Sequence, residues 1–154
     1  MDLQSPYSRT YEIIWANLDP NMHLRHTAYN DYAAQTRLSY FIEFGLSVAK
    51  IQKAGIGPIL FREDTRFLKE VKMGESIRVD CVVNGLRKDG SRWNIFHHIW
   101  RSDQEIAATI QVEGAWIDIS RRKLAIPDEE VRDIMFSFPQ SQDFQWLPDS
   151  KSKI

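Results

Sequence analysis

The chain has 154 residues, 20 basic and 21 acidic, with a formal net charge of -1, 43% hydrophobic and 27% charged. That size fits one domain with a core large enough to fold unaided, and the even charge leaves no basic surplus for nucleic acid while permitting a local patch for a phosphorylated ligand. A single cysteine, Cys81, cannot form an internal disulfide, the opening MDLQSPYSRTYE lacks the basic and apolar regions of a signal peptide, and no run nears the roughly 20 apolar residues of a membrane span, so a cytoplasmic protein with no membrane partner is expected.

Residues 8–15, SRTYEIIW, place Tyr11, Ile13 and Trp15 on one face and predict a first strand. The polar stretch Ala16 to His26 follows, in which Pro20 biases Asp19 away from helix and into a turn. From Thr27 to Phe44, the residues Tyr29, Tyr32, Ala33, Thr36, Tyr40, Phe41 and Phe44 recur at helical spacing and form a broad stripe suited to lie on a sheet. Gly45 ends that helix, and Leu46 to Ala54 suggests a short second one before Gly55-Ile56-Gly57-Pro58. Ile59 to Val71 reads as a strand with an irregular charged stretch at Arg62-Glu63-Asp64, followed by a turn at Met73-Gly74-Glu75. Ile77, Val79, Cys81 and Val83 alternate with polar residues as in a half-buried strand. Asp89-Gly90 carries a hairpin signal. Trp93 to Trp100, apolar on both faces, reads as a central strand, and Glu105 to Ile119 as a long one. Pro127 opens a short helix with Asp128, Glu129 and Glu130 in its first turn, where the helix dipole favours acids.

The domain therefore spans residues 1–136, and 137–154 form a polar tail, partly tied down through Phe144 and Trp146, with its last six residues loose. One strand, one long helix and then a run of antiparallel strands argue for an α+β class. An open sheet edge in such a fold is commonly covered by a second copy.

The stretch Leu18-Asp19-Pro20-Asn21-Met22-His23-Leu24-Arg25-His26-Thr27-Ala28-Tyr29 resembles the active-site loop of hot-dog fold thioesterases. The pattern Asp-x-Asn-x-His-x-x-x-x-Tyr is nearest to the acyl-ACP thioesterase-like and related bacterial branches. The 4-hydroxybenzoyl-CoA thioesterase branch keeps the same Asp-to-Tyr interval, usually with Gly where Met22 stands. The resemblance continues through Arg37, through Phe67 to Glu75 and through Ile117 to Pro127. It departs at Met22, and at Arg25-His26, where Asn-Asn often precedes the helix in the acyl-ACP-like branch. It implies an antiparallel sheet wrapped around one long central helix, and a homodimer or homotetramer with active sites at the subunit interface. The implied activity is hydrolysis of an acyl-CoA thioester.

Thioester hydrolysis needs water or a carboxylate delivered to the acyl carbon, and donors aimed at the developing oxyanion. Asp19 can act as general base or as nucleophile. Asn21 and His23 can orient it, the water or the carbonyl. The backbone N–H of His26, by analogy with the family, is the oxyanion donor at a helix N-terminus. Tyr29 is a candidate for lining the acyl site. Glu63 or Asp64 is the candidate second carboxylate, acting across a dimer interface, although a charged edge is the plainer reading of that stretch. Arg87, Arg92 and Arg121, with Lys88, Arg122 and Lys123, are candidates for the phosphates of coenzyme A, which enters as part of the substrate and not as a cofactor. No metal is expected, because His23 and His26 lack a completing ligand and His97 and His98 point to opposite faces of a strand. Cys81 reads as a buried filler. There is no Gly-x-Ser-x-Gly elbow and no Gly-rich phosphate loop. Two other functions fit the same loop: an acyl-ACP thioesterase, and a non-catalytic acyl-thioester binding protein.

Overall fold

The computed structural model describes residues 4–149. Its elements, in chain order, are β1 (Tyr7–Glu12), a single tight helical turn at Trp15–Asn17, α1 (Ala28–Glu43), α2 (Val48–Ala54), β2 (Ile56–Phe67), β3 (Ser76–Leu86), β4 (Arg92–Arg101), β5 (Ile106–Asp118), β6 (Lys123–Leu124), α3 (Glu129–Phe136) and β7 (Gln140–Trp146). One sheet of seven strands runs in the order β1-β3-β4-β5-β2, with β6 on β5 and β7 on β3. All pairings are antiparallel except the short parallel one between β7 and β3. A curled antiparallel sheet with one long helix packed on it is the hot-dog fold.

The period of two residues in the strands decides what the sheet buries. Along β4, Trp93, Ile95, His97 and Ile99 are buried and the residues between them are half-buried. Along β3, Ile77, Val79, Cys81 and Val83 are at most 1% exposed. α1 lies against this inner face. Ala28 and Ala33, both fully buried, bring its backbone close, while Tyr29, Tyr40 and Phe41 fill the spaces around it. Tyr40 stacks on Phe138, with centroids 3.4 Å apart, and its hydroxyl meets the Ser137 hydroxyl at 2.8 Å.

Local backbone chemistry fixes the ends of the helices and the hairpin turn, and Asp128, expected in the first turn of α3, stands just before it as the cap. Asp128 caps α3 by accepting the Val131 N–H at 2.9 Å, and Ser47 caps α2 by accepting from Lys50 at 3.2 Å. In the β3–β4 hairpin, Asp89 accepts the Ser91 N–H at 2.9 Å and Gly90 takes φ +79°.

Three expectations shift. The first strand ends at Glu12, and Trp15 leaves the strand face for the helical turn, where it is 72% exposed. Phe44 lies beyond the last turn of α1 and is 51% exposed, so the buried stripe stops at Phe41. Within the stretch read as a tail, Gln140–Trp146 pairs with β3 as β7, and Phe144 and Trp146 meet edge to face with centroids 5.2 Å apart. Of the six end residues expected to be loose, 150–154 lie outside the described residues. No helix among the described residues is long and apolar enough to cross a membrane.

Candidate active site

The loop between β1 and α1 is held by its own backbone. The Asp19 N–H donates to the His23 carbonyl at 2.8 Å, and the Met22 N–H donates to the Asp19 carbonyl at 3.0 Å. Leu24, 3% exposed, anchors the loop, and its N–H donates to Val71. Met22 sits at φ +63°, a left-handed conformation that glycine adopts without steric cost. Met22 thus holds a backbone bend that favours Gly, with its side chain turned outward at 42% exposure.

This turn fixes the Asp19 carboxylate. Its Oδ1 accepts the N–H of Asn21 at 2.8 Å and the N–H of His23 at 3.1 Å. Among the described residues no donor occupies Oδ2, so one oxygen is pinned and the other is available to a solute. Asn21 contributes through its backbone, and its side chain is exposed. The His23 ring lies with Nε2 3.4 Å from Glu70 Oε2. Glu70 is a site residue that sequence reasoning did not single out; it lies inside the Phe67 to Glu75 stretch that carried the resemblance.

Asp19, His23, His26 and Tyr29 line one cavity of about 310 Å³ together with Phe67 to Glu70. Tyr29 is 3% exposed and packs edge-on against Phe67, with centroids 5.2 Å apart. Burial, and then the nearby Asp19 charge, raise its phenol above the usual range, so Tyr29 stays a neutral donor. The α1 N-terminus is uncapped by its side chain at Thr27. Among the described residues the His26 N–H has no acceptor, while the Ala28 N–H is taken by the Arg25 carbonyl at 3.0 Å. A carboxylate, a neutral phenol, an imidazole and a free amide at a helix start thus share one opening.

The other candidates stand elsewhere in the chain. Glu63 and Asp64 lie on β2 outside this cavity. Asp64 is flanked by Arg62 at 3.4 Å and Arg66 at 3.9 Å. Arg92 pairs in register with Ala115 of β5, whereas the cavity's Phe67 pairs with Ala108. Seven residues of strand separate these levels, about 24 Å. Arg87 lies beside Arg92 around a separate hollow that Phe61 also lines, and the Arg92 guanidinium lies 4.9 Å from the Phe61 ring centre. Arg121 is in the turn after β5, at the same far end of the sheet. Within one chain the basic candidates therefore do not meet Asp19.

Cys81 is fully buried, and burial pushes its thiol up to about 12, which leaves it an inert filler. His97 and His98 do point to opposite faces, and His97 is fully buried against α1. Its Nδ1 meets the Asp80 carbonyl at 2.9 Å and its Nε2 meets Arg37 Nη1 at 2.9 Å. Burial, and then the Arg37 charge, lower His97 to about 3. The ring is therefore neutral, with Nδ1–H donating to the carbonyl and Nε2 accepting from Arg37. Sequence reasoning missed this pair, because nothing in the spacing of residues 37 and 97 ties them together.

The sequence model of the thioesterase-like superfamily matches residues 13–135. No curated protein matches the chain. Among solved structures, a Staphylococcus aureus protein determined in complex with CoA superposes with TM-score 0.83 at 18% identity, covering 100% of this chain and 97% of that one. A 1,4-dihydroxy-2-naphthoyl-CoA thioesterase from Synechocystis gives TM-score 0.77 at 14% identity, covering 86% of this chain and 97% of that one. A DHNA-CoA thioesterase from Staphylococcus aureus gives 0.71 at 22%, covering 77% of this chain and 78% of that one. At these identities the structural likeness speaks for the fold.

Proposed function

The chain belongs to the thioesterase-like superfamily and is a thioester hydrolase, and from that premise we propose that it hydrolyses acyl-CoA esters to the free acid and CoA, with Asp19 as general base or nucleophile. The observation that carries this reading is the Asp19 carboxylate, fixed through one oxygen by two backbone N–H groups and open at the other, beside the start of α1. The His26 N–H is the oxyanion donor in this reading. Tyr29 shields the site from water on its inner side, and Glu70 orients His23.

The phosphates of CoA need cations, and Arg87, Arg92 and Arg121 stand at the end of their own sheet away from Asp19. Among the described residues the long edge strand β2 has no partner on its outer side, and it carries exposed Leu60, Phe61 and Phe67 at 42%, 53% and 53%. Antiparallel pairing of two β2 edges about a twofold axis exchanges the ends of the two sheets. It brings Arg87, Arg92 and Arg121 of a second copy toward Asp19, and gives Glu63 or Asp64 a route to the neighbouring site. We place this homodimer in the cytoplasm, in keeping with one free, buried cysteine.

The test is thiol release from a panel of acyl-CoA esters, short to long and aromatic, by wild type and Asp19→Asn. A loss of about a hundredfold or more in kcat/KM is expected for the variant. Turnover unchanged by the substitution would move the chemistry away from this loop. Binding of CoA esters without any turnover would point instead to a carrier-protein ester as substrate or to a binding protein.

A further inference from the structure

α1 and β2 run past each other in opposite directions, with one cavity at each end of their contact. Tyr29 meets Phe67 at the Asp19 end. One residue on, Asn30 Oδ1 accepts a hydrogen bond from the Thr65 hydroxyl at 2.7 Å. Further along, Ala34, Arg37, Leu38 and Phe41 of α1 face Pro58, Ile59 and Leu60 of β2 across a cavity of about 250 Å³. From Tyr29 to Arg37 is two turns of helix, about 12 Å.

That cavity is apolar except at Arg37. The residue is 8% exposed, and its one side-chain hydrogen bond among the described residues goes to the neutral His97 ring at 2.9 Å. No carboxylate forms an ion pair with it among the described residues; the acid whose charge reaches it is Glu63, exposed on β2. A guanidinium offers five N–H donors, and a buried cation without an anion is costly. Trp93, 2% exposed and part of the same lining, also carries a buried indole N–H with no acceptor. A guanidinium without an anion in an apolar cavity calls for an acceptor that the described residues do not supply.

We propose that Arg37 is a specificity-determining residue and that the preferred substrate carries a carboxylate at the far end of its acyl group, held by Arg37 while the thioester lies at Asp19. The inference rests on the hydrolase reading above. The aliphatic walls formed by Leu38, Ile59 and Leu60 take the end of the methylene chain, and the two turns of α1 between Tyr29 and Arg37, about 12 Å, set the separation between thioester and carboxylate.

The test uses matched acyl-CoA esters of equal length ending in a carboxylate or in a methyl group, with wild type and Arg37→Leu. Wild type is expected to favour the carboxylate-ended ester by at least about tenfold in kcat/KM, the scale of a charge-assisted hydrogen bond. Arg37→Leu is expected to lose that preference, the ratio of kcat/KM for the two esters falling to about one. A wild-type preference for the methyl-ended ester, or an equal loss on both esters in the variant, would overturn the proposal and leave Arg37 a support for His97. Calorimetric titration of wild type with the corresponding non-hydrolysable thioether analogues separates this from the hydrolase reading. Tighter binding of the carboxylate-ended analogue supports the Arg37 site even if no ester is turned over, and equal binding sinks it even if hydrolysis is fast. Because wild type alone decides the preference, a variant that fails to fold does not blunt the test.

Discussion

Asp19 accepts hydrogen bonds from its own turn, as any Asp before a proline tends to do. The turn and the candidate chemistry are not rivals, because the two amides hold one oxygen and so fix where the other stands. His97 shows the opposite case, a side chain whose role rests entirely on distant partners. Its pKa of about 3 lies below the unfolded value near 6.5, so the folded state binds the proton less well than the unfolded chain. The stability from this group is complete above pH 6.5 and falls as pH drops toward 3, by about 1.4 kcal/mol per pH unit. Urea unfolding from pH 7 to 4 is expected to show a shallower pH slope in His97→Gln than in wild type. Equal slopes would mean that the imidazole is not held neutral by Arg37 and its burial.

At the scale of elements, the helix starting near Thr27 and the alternating strand through Cys81 were readable because each depends on a single period along the chain. Trp15 was misplaced because alternation continues in the letters after the backbone has left the sheet. β7 was read only as a tethered tail, since Gln140–Trp146 is polar and its place is set by the open side of β3 beyond the end of β1. Gly114, in the middle of β5, shows what a strand register can demand. A Cβ there would collide with the Trp93 ring and come 2.6 Å from the Ile59 carbonyl. Gly114→Ala is expected to destabilise the fold by about 1–3 kcal/mol, read as a lowered urea midpoint. An unchanged midpoint would show that the Trp93 ring can move aside.

For the whole molecule, the proposed exchange of sheet ends makes each active site composite. Asp19→Asn and Arg92→Ala should each lower acyl-CoA hydrolysis as homodimers. When the two variants are unfolded together and refolded, mixed dimers contain one site with both native residues. Activity is then expected to recover to a sizeable fraction of wild type, about a quarter if chains pair at random and only that site works. Failure to recover, with mixed dimers verified by mass, would place Asp19 and Arg92 in the service of separate sites.

The sequence by itself determined the order of the main elements as far as α3, the faces of its longest helix and clearest strand, and the loop around Asp19. These follow from spacing and from bonds between residues a few positions apart. Only the tertiary structure decided that Glu70 stands beside His23, that Arg37 and His97 share a buried bond, and that Arg87, Arg92 and Arg121 lie at the end of the sheet away from Asp19. Those relations depend on strand order and register, which join positions tens of residues apart. Their energies come from burial and desolvation, which exist only once the sheet has closed over the helix.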